Sequence, residues 1–473
     1  MYYISRIEKM PSIPLNFKHV VIIFCFFLVL YNKSLNYYFF QDDWFVLNWV
    51  RESKLLDLLK FRGDIIYWRP VSMPIFFKTN LELFNINPQL FHLIVFILFF
   101  LLLYFIYQLF LKLTTNRKTS FFVTFLYATS SIHFVSISWL SSTSYIIGAL
   151  FTVLTFYFFL NKGFRSYLLS FTFFILGLLS SELVLTVPAI LLIYKLTLNK
   201  IIKLQTLSPY FILVLLYLTL RLSQSTLPAS GSYEIYFDKK TLSNIIWYVL
   251  WSSNFPESFI DLISHKFIAN SLHVIKQYWW IVLSSSTVGV IFTKWMFDKL
   301  MENKRLMLFS VCWFFLALAP VIVVPDHVYP NYLSIAILGL LFAITKKVDK
   351  LDIKVLIVIG LIWFFSSFAT LAYTQKTHWI VNEQAVSRAY TEFVKTNYPK
   401  PEPGTIFFLG FPSEDFARKN KFYFSDVHTL IQSLNNEQAL QVFYGDKSVK
   451  TEYERPKSKD GLSHVSIIRI NPI

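Results

Sequence analysis

The chain has 473 residues, of which 55% are hydrophobic and 19% aromatic, and a formal net charge of +16. A water-soluble globular protein could not keep so much apolar surface from water, so this composition excludes that class and indicates an integral membrane protein. A helix needs about 20 apolar residues to cross the hydrocarbon layer with every backbone polar group bonded inside it.

Eleven hydrophobic stretches meet this requirement, and we predict a transmembrane helix in each. In chain order they are 18–38, 90–111, 120–138, 142–160, 166–180, 183–199, 207–222, 278–296, 306–323, 331–345 and 354–373. Only short uncharged turns separate the runs between residues 130 and 200. The predicted fold is therefore a polytopic α-helical bundle.

Charge in the short connections orients this bundle. The turns at 130–141, 180–183 and 324–330 contain no Lys or Arg. The basic residues of the N-terminal segment and alternate connections include Arg6, Lys9, Lys18, Lys112, Arg117, Lys118, Lys162, Arg165, Lys195, Lys200, Lys203, Lys294, Lys299, Lys304, Arg305, Lys346, Lys347, Lys350 and Lys354. By the positive-inside rule the N-terminus is cytoplasmic and residues 374–473 lie outside. A bacterial inner membrane is the expected location.

The basic excess and the cysteines exclude two further classes. Most of the excess lies in the predicted cytoplasmic loops, where anionic lipid headgroups are the usual partner, so we expect no nucleic-acid binding. Cys25 and Cys312 fall inside predicted membrane helices, which argues against a disulfide framework or a thiolate metal site. The first apolar run lacks a small-residue cleavage site and is interpreted as a retained anchor.

The sequence predicts two domains. Residues 1–373 form the membrane domain, with long outer loops at 39–89 and 223–277, and residues 374–473 form a small extracytoplasmic α/β domain. In this tail "GTIFFLGF" and "SHVSIIRI" are typical of strands, and "SDVHTLIQSLNNEQALQVFY" is typical of a helix.

The predicted topology collects polar residues from many helix ends at the outer face. They are Asp42, Asp43, Arg69, His92, His133, Glu182, Arg221, Asp326 and His327. Such convergence at one membrane boundary is typical of a site that passes a lipid-carried group to an acceptor on the water side.

Asp42 and Asp43 have two interpretations. An Asp can cap a helix by accepting bonds from the free N–H groups of the first turn. One cap needs one Asp, and neighbouring residues of a helix point about 100° apart, so the second carboxylate needs a separate reason. It could act as a general base or a metal ligand, with the like charge raising one pKa. The residues alone leave both interpretations open.

Arg69 and Glu182 also have structural alternatives. Arg69 in "YWRPVS" could extend to a lipid headgroup, or it could bind a phosphate bidentately. Glu182 in "LLSSELVLTVP" could serve at a helix N-terminus, but an ionisable group at membrane depth is also a candidate functional group.

The histidines also have both a structural and a functional interpretation. His92 and His133 are expected more often to be packed core residues than ligands. Asp326 and His327 in "VPDHVYPNY" could be a ligand pair or turn residues.

The order of the segments resembles the GT-C superfamily of polyprenyl-phosphate-sugar-dependent glycosyltransferases. Within it the chain is similar to the transmembrane part of the O-mannosyltransferases that carry tetratricopeptide repeats and to protein O-mannosyltransferases. The resemblance covers residues 18–345. It rests on "FFQDDWFVLN", "YWRPVS", "NPQLFHLIVFILFFLLLY", "HFVSISWLSSTSYIIGALF", "LGLLSSELVLTVPAILLIYKL" and, more faintly, "HVYPNYLSIAILGL".

The resemblance implies roles for matching residues. Asp42 and Asp43 match an acidic pair that contacts acceptor or metal, Arg69 matches the Arg of an Arg-Pro segment, and His133 and Glu182 match a His and a Glu of the family. The chain also departs from the family pattern. Ser181 replaces Lys, Phe134 replaces Pro, Asp326-His327 replaces Glu-Arg, and the repeats are missing, which puts the sugar, the acceptor and metal dependence in doubt.

These observations predict an inverting glycosyltransferase that moves one sugar from a polyprenyl-phosphate donor to a hydroxyl of a protein, lipid or glycan. Asp43 is the preferred base and Asp42 the alternative, while Arg69 and Arg221 bind the donor phosphate. His133, Glu182, Asp326 and His327 support the site. The sequence indicates no definite cofactor. Whether the site binds a divalent metal ion stays open, and Asp42, Asp43 and Glu182 are the candidate ligands.

Two other functions stay open from the sequence. A transporter or flippase of a lipid-linked or polar substrate would use intramembrane charges to mark a path. A non-catalytic GT-C scaffold would bind lipid or present its tail without turnover.

Overall fold

The computed structural model describes residues 15–63, 65–199, 204–224, 231–264, 267–423, 426–453 and 467–470. The cytoplasmic residues Arg6, Lys9, Lys200 and Lys203 of the predicted topology lie outside these ranges. Within them the chain is mainly helical, and its helices pack around one continuous core of aliphatic and aromatic side chains. Cys25 and Cys312 are free thiols.

The helices of the first third are α1 (Leu15–Tyr31), α2 (Asp42–Glu52), α3 (Phe76–Phe84), α4 (Pro88–Thr114), α5 (Arg117–Ala128), α6 (Phe134–Ser138) and α7 (Ser144–Phe159). The middle third contains α8 (Phe164–Leu178), α9 (Val187–Tyr194), α10 (Ser208–Gln224), α11 (Lys239–Trp251), α12 (Phe259–Ser264), α13 (Phe267–Glu302) and α14 (Lys304–Ile322). The last third contains α15 (Leu333–Ala343), α16 (Thr345–Lys350), α17 (Ile353–Thr377), α18 (Trp379–Asn397), α19 (Glu414–Lys419), α20 (Val427–Leu434) and α21 (Gln438–Tyr444).

Local chemistry explains where several long helices begin. The Asn87 side chain accepts a hydrogen bond from the backbone N–H of Leu90, and Pro88 occupies the first turn of α4, where its missing N–H costs nothing. Asn116 caps α5 by accepting from the N–H groups of Lys118 and Thr119. These caps lie in the polar connections between apolar runs, so the pattern of the sequence and the helix ends agree.

Seven helical segments of the described residues are long and apolar enough to cross a membrane, and a bent pair makes an eighth. The seven are Asn16–Asn36, Pro88–Thr114, Leu140–Phe159, Glu182–Asn199, Asn270–Asp298, Lys304–Ile322 and Ile353–Thr377. Three shorter apolar helices are Phe164–Leu178, Ser208–Ser223 and Pro330–Ala343. The chain is thus an integral membrane protein, and the count of eleven spans stays a prediction.

The segment predicted as one straight span at 120–138 is bent. Arg117–Ala128 and Ser131–Ser138 meet at 47°. The bend falls at Ser130, whose backbone is extended. In the second half, the Ser138 hydroxyl lies 2.8 Å from the hydroxyl of Ser34, in the connection between α1 and α2.

The tail contains a small parallel sheet with the strand order β2-β1-β3, formed by β1 (Ile406–Leu409), β2 (Lys450–Tyr453) and β3 (Ile467–Ile470). Ile406 pairs with Lys450 on one side and with Ile467 on the other. The sequence predicted β1 and β3 but missed β2. The predicted single helix at 425–444 is two helices, because Asn435 and Asn436 both adopt positive φ and break it. The extracytoplasmic location of this domain stays a prediction.

Candidate functional site

Four of the predicted site residues line one cavity of about 150 Å³. They are Arg69, Glu182, Arg221 and His327, and each comes from a different part of the chain. Glu182 begins the 3₁₀ turn before α9, Arg221 is in the last turn of α10, and His327 is in the turn after α14. The convergence that the topology predicted is therefore found for these four.

The Arg-Pro segment is fastened to the segment that carries Glu182. The N–H of Val71 donates to the carbonyl of Leu179 at 3.0 Å, and the Ser72 hydroxyl donates to the carbonyl of Ser180 at 2.6 Å. These two bonds lie immediately beside Arg69 and Glu182 in sequence. They place the guanidinium and the carboxylate next to each other.

Arg69 is held from several sides. Its Nε donates to Glu182 Oε2 at 2.7 Å, and its terminal nitrogens donate to Ser144 Oγ at 3.1 Å and to the Tyr145 hydroxyl at 3.3 Å. Its guanidinium also lies 4.5 Å from the ring centroid of Tyr67. Because each terminal nitrogen carries two N–H groups, each keeps one for a ligand oxygen. Arg69 is thus rigidly oriented and still able to bind an anion.

Glu182 has one free oxygen. Oε2 accepts from Arg69, whereas Oε1 is buried and accepts no hydrogen bond from the residues that the structure describes. A buried carboxylate oxygen without a donor is costly unless a ligand or water satisfies it. Oε1 can therefore accept from a hydroxyl group of a bound molecule.

His327 is neutral at pH 7. Its ring stacks on Tyr233 with centroids 4.3 Å apart, and it shares a short hydrogen bond with the Tyr332 hydroxyl. Burial and then the charge of Arg69 lower the pKa of His327 to about 4. The cavity thus offers a neutral imidazole beside a fixed cation.

Arg221 supplies a second guanidinium to the cavity. Its charge lies 5.1 Å from the ring centroid of Phe61, in the loop 39–89. An aromatic face stabilises a guanidinium charge that lies against it. Arg69 and Arg221 together make the cavity suitable for an anion such as a phosphate.

Asp43 is fully buried and bonded. Oδ1 accepts from the N–H of Ser141 at 2.8 Å and from its hydroxyl at 2.6 Å, and Oδ2 lies 3.4 Å from the N–H of Phe40. Burial raises the pKa of Asp43 to about 7, against the lowering effect of the Ser141 hydrogen bonds. Asp43 therefore ties α2 to the turn Leu140–Thr143, which leads directly into Ser144 and Tyr145 beside Arg69.

Asp42 is half-buried. Burial raises the pKa of Asp42 and no described neighbour offsets that shift. Tyr67 lines the cavity, and its pKa is raised first by burial and second by the negative charge of Asp42. The helix N-cap is Gln41, so neither aspartate occupies the cap position itself. The carboxylate that remains available to a substrate is that of Asp42.

Two predicted site residues lie elsewhere. His133 is a packing residue, with Nε2 2.9 Å from the carbonyl of Tyr127 and its ring against Phe99. Asp326 accepts from the Tyr236 hydroxyl at 2.8 Å and pairs with Lys240, and it lines a separate cavity of about 960 Å³. His327 and Asp326 are consecutive residues in a turn and point into different cavities, so they do not form the ligand pair that was one prediction.

The acidic residues of the site are also the predicted candidate ligands of a metal ion. No group of three His, Cys, Asp or Glu side chains within the described ranges could hold one. Both Asp43 oxygens face N–H or O–H donors, and one Glu182 oxygen is bound to Arg69. A divalent ion held by Asp42, Asp43 and Glu182 stays a prediction, and no reaction step below depends on it.

Several cavity residues were not identified from the sequence. Tyr145 and Tyr233 line the cavity, Ser144 holds Arg69, and Ser141 holds Asp43. The run "LSSTSY" at 140–145 is a polar interruption between two apolar runs, and it was the available signal for three of these residues. Tyr233 lies in a long polar loop and gave no such signal.

Comparison with known proteins gives weak likenesses. No protein-family model and no curated protein sequence matches the chain. A crystal structure of the Archaeoglobus fulgidus oligosaccharyltransferase with zinc and sulfate is similar, with a TM-score of 0.47, 12% identity and 90% of this chain covered. The same organism's oligosaccharyltransferase AglB, in complex with an inhibitory peptide and a dolichol-phosphate, has a TM-score of 0.42, 12% identity and 85% coverage. The chain covers 61% and 63% of those two chains. At these TM-scores neither likeness establishes a shared fold or activity.

Proposed function

We propose that the protein is an inverting glycosyltransferase that moves a single sugar from a polyprenyl-phosphate donor to a hydroxyl group at the outer face of the membrane. The observation that carries the proposal is the convergence of Arg69, Arg221 and Glu182 on one cavity, whose lining residue Tyr67 is also within reach of the Asp42 charge. Guanidinium groups suit a phosphate, and a carboxylate suits the proton of a hydroxyl. The ordered resemblance of residues 18–345 to the GT-C enzymes supports the same donor class.

In the proposed reaction, the donor phosphate lies against Arg69 and Arg221. The acceptor oxygen attacks the anomeric carbon from the face opposite the phosphate, and the bond from that carbon to the phosphate oxygen breaks. Polyprenyl phosphate leaves with the bonding electrons, and the two guanidinium charges offset the charge that develops on it. Attack from the opposite face inverts the anomeric configuration.

Asp42 takes the role of general base in this proposal, in place of Asp43. Both oxygens of Asp43 are already directed at donors of Phe40 and Ser141, and its carboxyl is fully buried. Asp42 is half-buried and has no such bonds to offset its raised pKa. Asp43 positions the start of α2 against the segment that holds Arg69, and Asp42 accepts the acceptor's proton.

Glu182 and His327 complete the site. Glu182 Oε1 accepts from a sugar hydroxyl, while Oε2 orients Arg69. His327 is neutral and so adds no charge that would compete with the guanidinium groups. The acceptor is a hydroxyl of a protein, lipid or glycan, and the location is an inner bacterial membrane with the N-terminus in the cytoplasm and the tail outside.

The direct test uses the full-length protein in proteoliposomes with a set of polyprenyl-phosphate sugars that differ only in the sugar. We expect release of polyprenyl phosphate that depends on a hydroxyl acceptor, and a product with inverted configuration. Envelope analysis of cells without the gene should show one glycan, lipid or glycoprotein that lacks one sugar. Movement of a lipid-linked substrate across the vesicle membrane without any transfer would instead establish a transporter.

A further inference from the structure

The residue before the acidic pair has an unusual backbone. Gln41 has φ 47° and ψ −124°, in the positive-φ range that residues other than glycine adopt at a cost. It is the N-cap of α2, so its backbone angles set the direction in which Asp42 leaves the preceding extended segment. A conformation of this kind persists only where neighbouring groups hold it.

Two groups from the tail hold Gln41. Its N–H donates to the carbonyl of Ser433 at 3.2 Å, and its side-chain amide donates to Glu383 in a short hydrogen bond. Glu383 is 7% exposed, and burial raises its pKa to about 7. The bond between Gln41 and Glu383 spans 342 positions of the chain.

The helix that contains Glu383, α18, also holds residues before and after Gln41. Gln384 of α18 accepts from the N–H of Tyr38 at 3.2 Å, and Ser387 accepts from the indole N–H of Trp44 at 2.9 Å. Glu383, Gln384 and Ser387 belong to one helix, so they form a single rigid frame for the segment that precedes the acidic pair.

The far end of α2 is held as well. Asn48 donates to the Gln441 side chain at 2.8 Å, and Arg51 donates to the carbonyl of Val442 at 2.5 Å. The tail therefore bonds α2 near its first and last turns. None of these tail residues lines the cavity that contains Arg69 and Glu182.

We propose that the C-terminal segment is a positioning element, in which Glu383 and the Ser433 carbonyl hold Gln41 in its positive-φ conformation and thereby aim Asp42 at the cavity. This inference rests on the proposed function for its catalytic consequence, but its conformational content does not. Glu383 is a positioning residue, since it acts on Asp42 through Gln41.

The test compares Glu383→Ala, Glu383→Gln and the control Glu392→Ala in the full-length protein in nanodiscs. Hydrogen exchange of the backbone amides of residues 41–44 is measured together with kcat and KM for a polyprenyl-phosphate sugar. In Glu383→Ala we expect exchange to rise and kcat to fall, each by about tenfold, which is the effect of leaving the Gln41 amide without its buried hydrogen-bond partner. The donor KM should stay within about twofold, because the phosphate ligands are untouched.

The two other variants give the contrast. Glu383→Gln keeps an oxygen that accepts from Gln41, so it should restore most of the exchange protection and of kcat. Glu392 is exposed on the same helix, and Glu392→Ala should match the wild type. If Glu383→Ala does not fold, Gln41→Gly removes the same bond from the other partner with a residue that tolerates positive φ. Its kcat should fall in the same way.

Unchanged amide exchange in Glu383→Ala and Gln41→Gly would overturn the inference, whatever their activity. Raised exchange with an unchanged kcat would overturn the catalytic consequence. If exchange rises but the wild type transfers no sugar from any donor tested, the proposed function fails while the conformational role of Glu383 stands.

Discussion

Arg69 and Glu182, 113 positions apart in the chain, form an ion pair in which Nε lies 2.7 Å from Oε2. Their side chains are 13% and 26% exposed, so the pair is only partly open to solvent. Ser144 and Tyr145 bind the other nitrogens of the same guanidinium. The pair orients a cation in the cavity and leaves N–H groups on it for an anionic ligand.

Arg69→Lys should therefore lower kcat/KM for a polyprenyl-phosphate sugar by about 10- to 100-fold, the range of one to two lost charged hydrogen bonds. A lysine keeps the charge but cannot reach Glu182, Ser144 and Tyr145 together. Steady-state transfer in proteoliposomes measures the change. Arg165→Lys is the control, because Arg165 is exposed at the start of α8. Equal loss in both variants would contradict a specific role for Arg69.

Substitutions of the two aspartates should have different effects on activity and on stability. Asp42→Asn should lower kcat by about 100- to 10,000-fold, the usual contribution of a general base, with little change in melting temperature. Asp43→Asn should lower the melting temperature as well, because an amide nitrogen cannot accept the bonds that the carboxylate accepts from Phe40 and Ser141. Thermal melting and transfer rates of both variants decide the assignment. Wild-type transfer by Asp42→Asn would rule out the proposed base.

The stability of the protein should fall as pH rises through the neutral range. Asp43 has a pKa of about 7 in the folded protein against 3.8 as the ordinary value, so between these pH values the folded state keeps a proton that the unfolded state has released. The stabilisation is complete below about pH 4 and is lost as pH approaches 7. Melting temperatures from pH 6.5 to 8 should decline, since the opposite effect of the lowered His327 pKa acts mainly below pH 6.5. The decline should be smaller in Asp43→Asn. Some decline should persist there, because Glu383 is shifted in the same direction. An identical slope in both proteins would contradict the burial of a protonated Asp43.

Gly148 packs closely against the residue that precedes Glu182. A Cβ at Gly148 would lie 2.7 Å from the Cβ of Ser181, the residue before Glu182. Gly148→Ala should push this segment away from α7, lowering transfer activity and reducing the free energy of unfolding by about 1–3 kcal/mol, as overpacking does. Gly63→Ala is the matched control, since a Cβ there meets no atom within 4 Å. Thermal melting and transfer assays of both variants test this. If Gly148→Ala matched the control in melting temperature and transfer activity, the segment before Glu182 would have moved without cost and the prediction would be wrong.

Much of the architecture was available from the sequence, because it depends on local properties. Apolar runs of sufficient length predict helices, and the polar residues between them, such as Asn87 and Asn116, begin those helices as caps. The bend within 117–138 was not available, since it depends on how the segment packs against distant ones. The same holds for the missed strand at Lys450–Tyr453, which forms only by pairing with β1. The break at Asn435 and Asn436 has a local cause, the positive φ of two residues of a type that tolerates it, and was overlooked.

For the candidate site, the sequence by itself determined which polar side chains occur at the helix ends of the predicted outer face. It predicted that nine of them would converge, and four of the nine, Arg69, Glu182, Arg221 and His327, line one cavity. The tertiary structure alone decided the direction of each side chain: it separated Asp326 from His327, buried Asp43 against Ser141, and joined Gln41 to Glu383. Neighbours in sequence can face opposite ways, and a hydrogen bond across hundreds of residues leaves no local pattern. That is why the acidic pair was visible from the sequence while the different surroundings of its two members needed the fold.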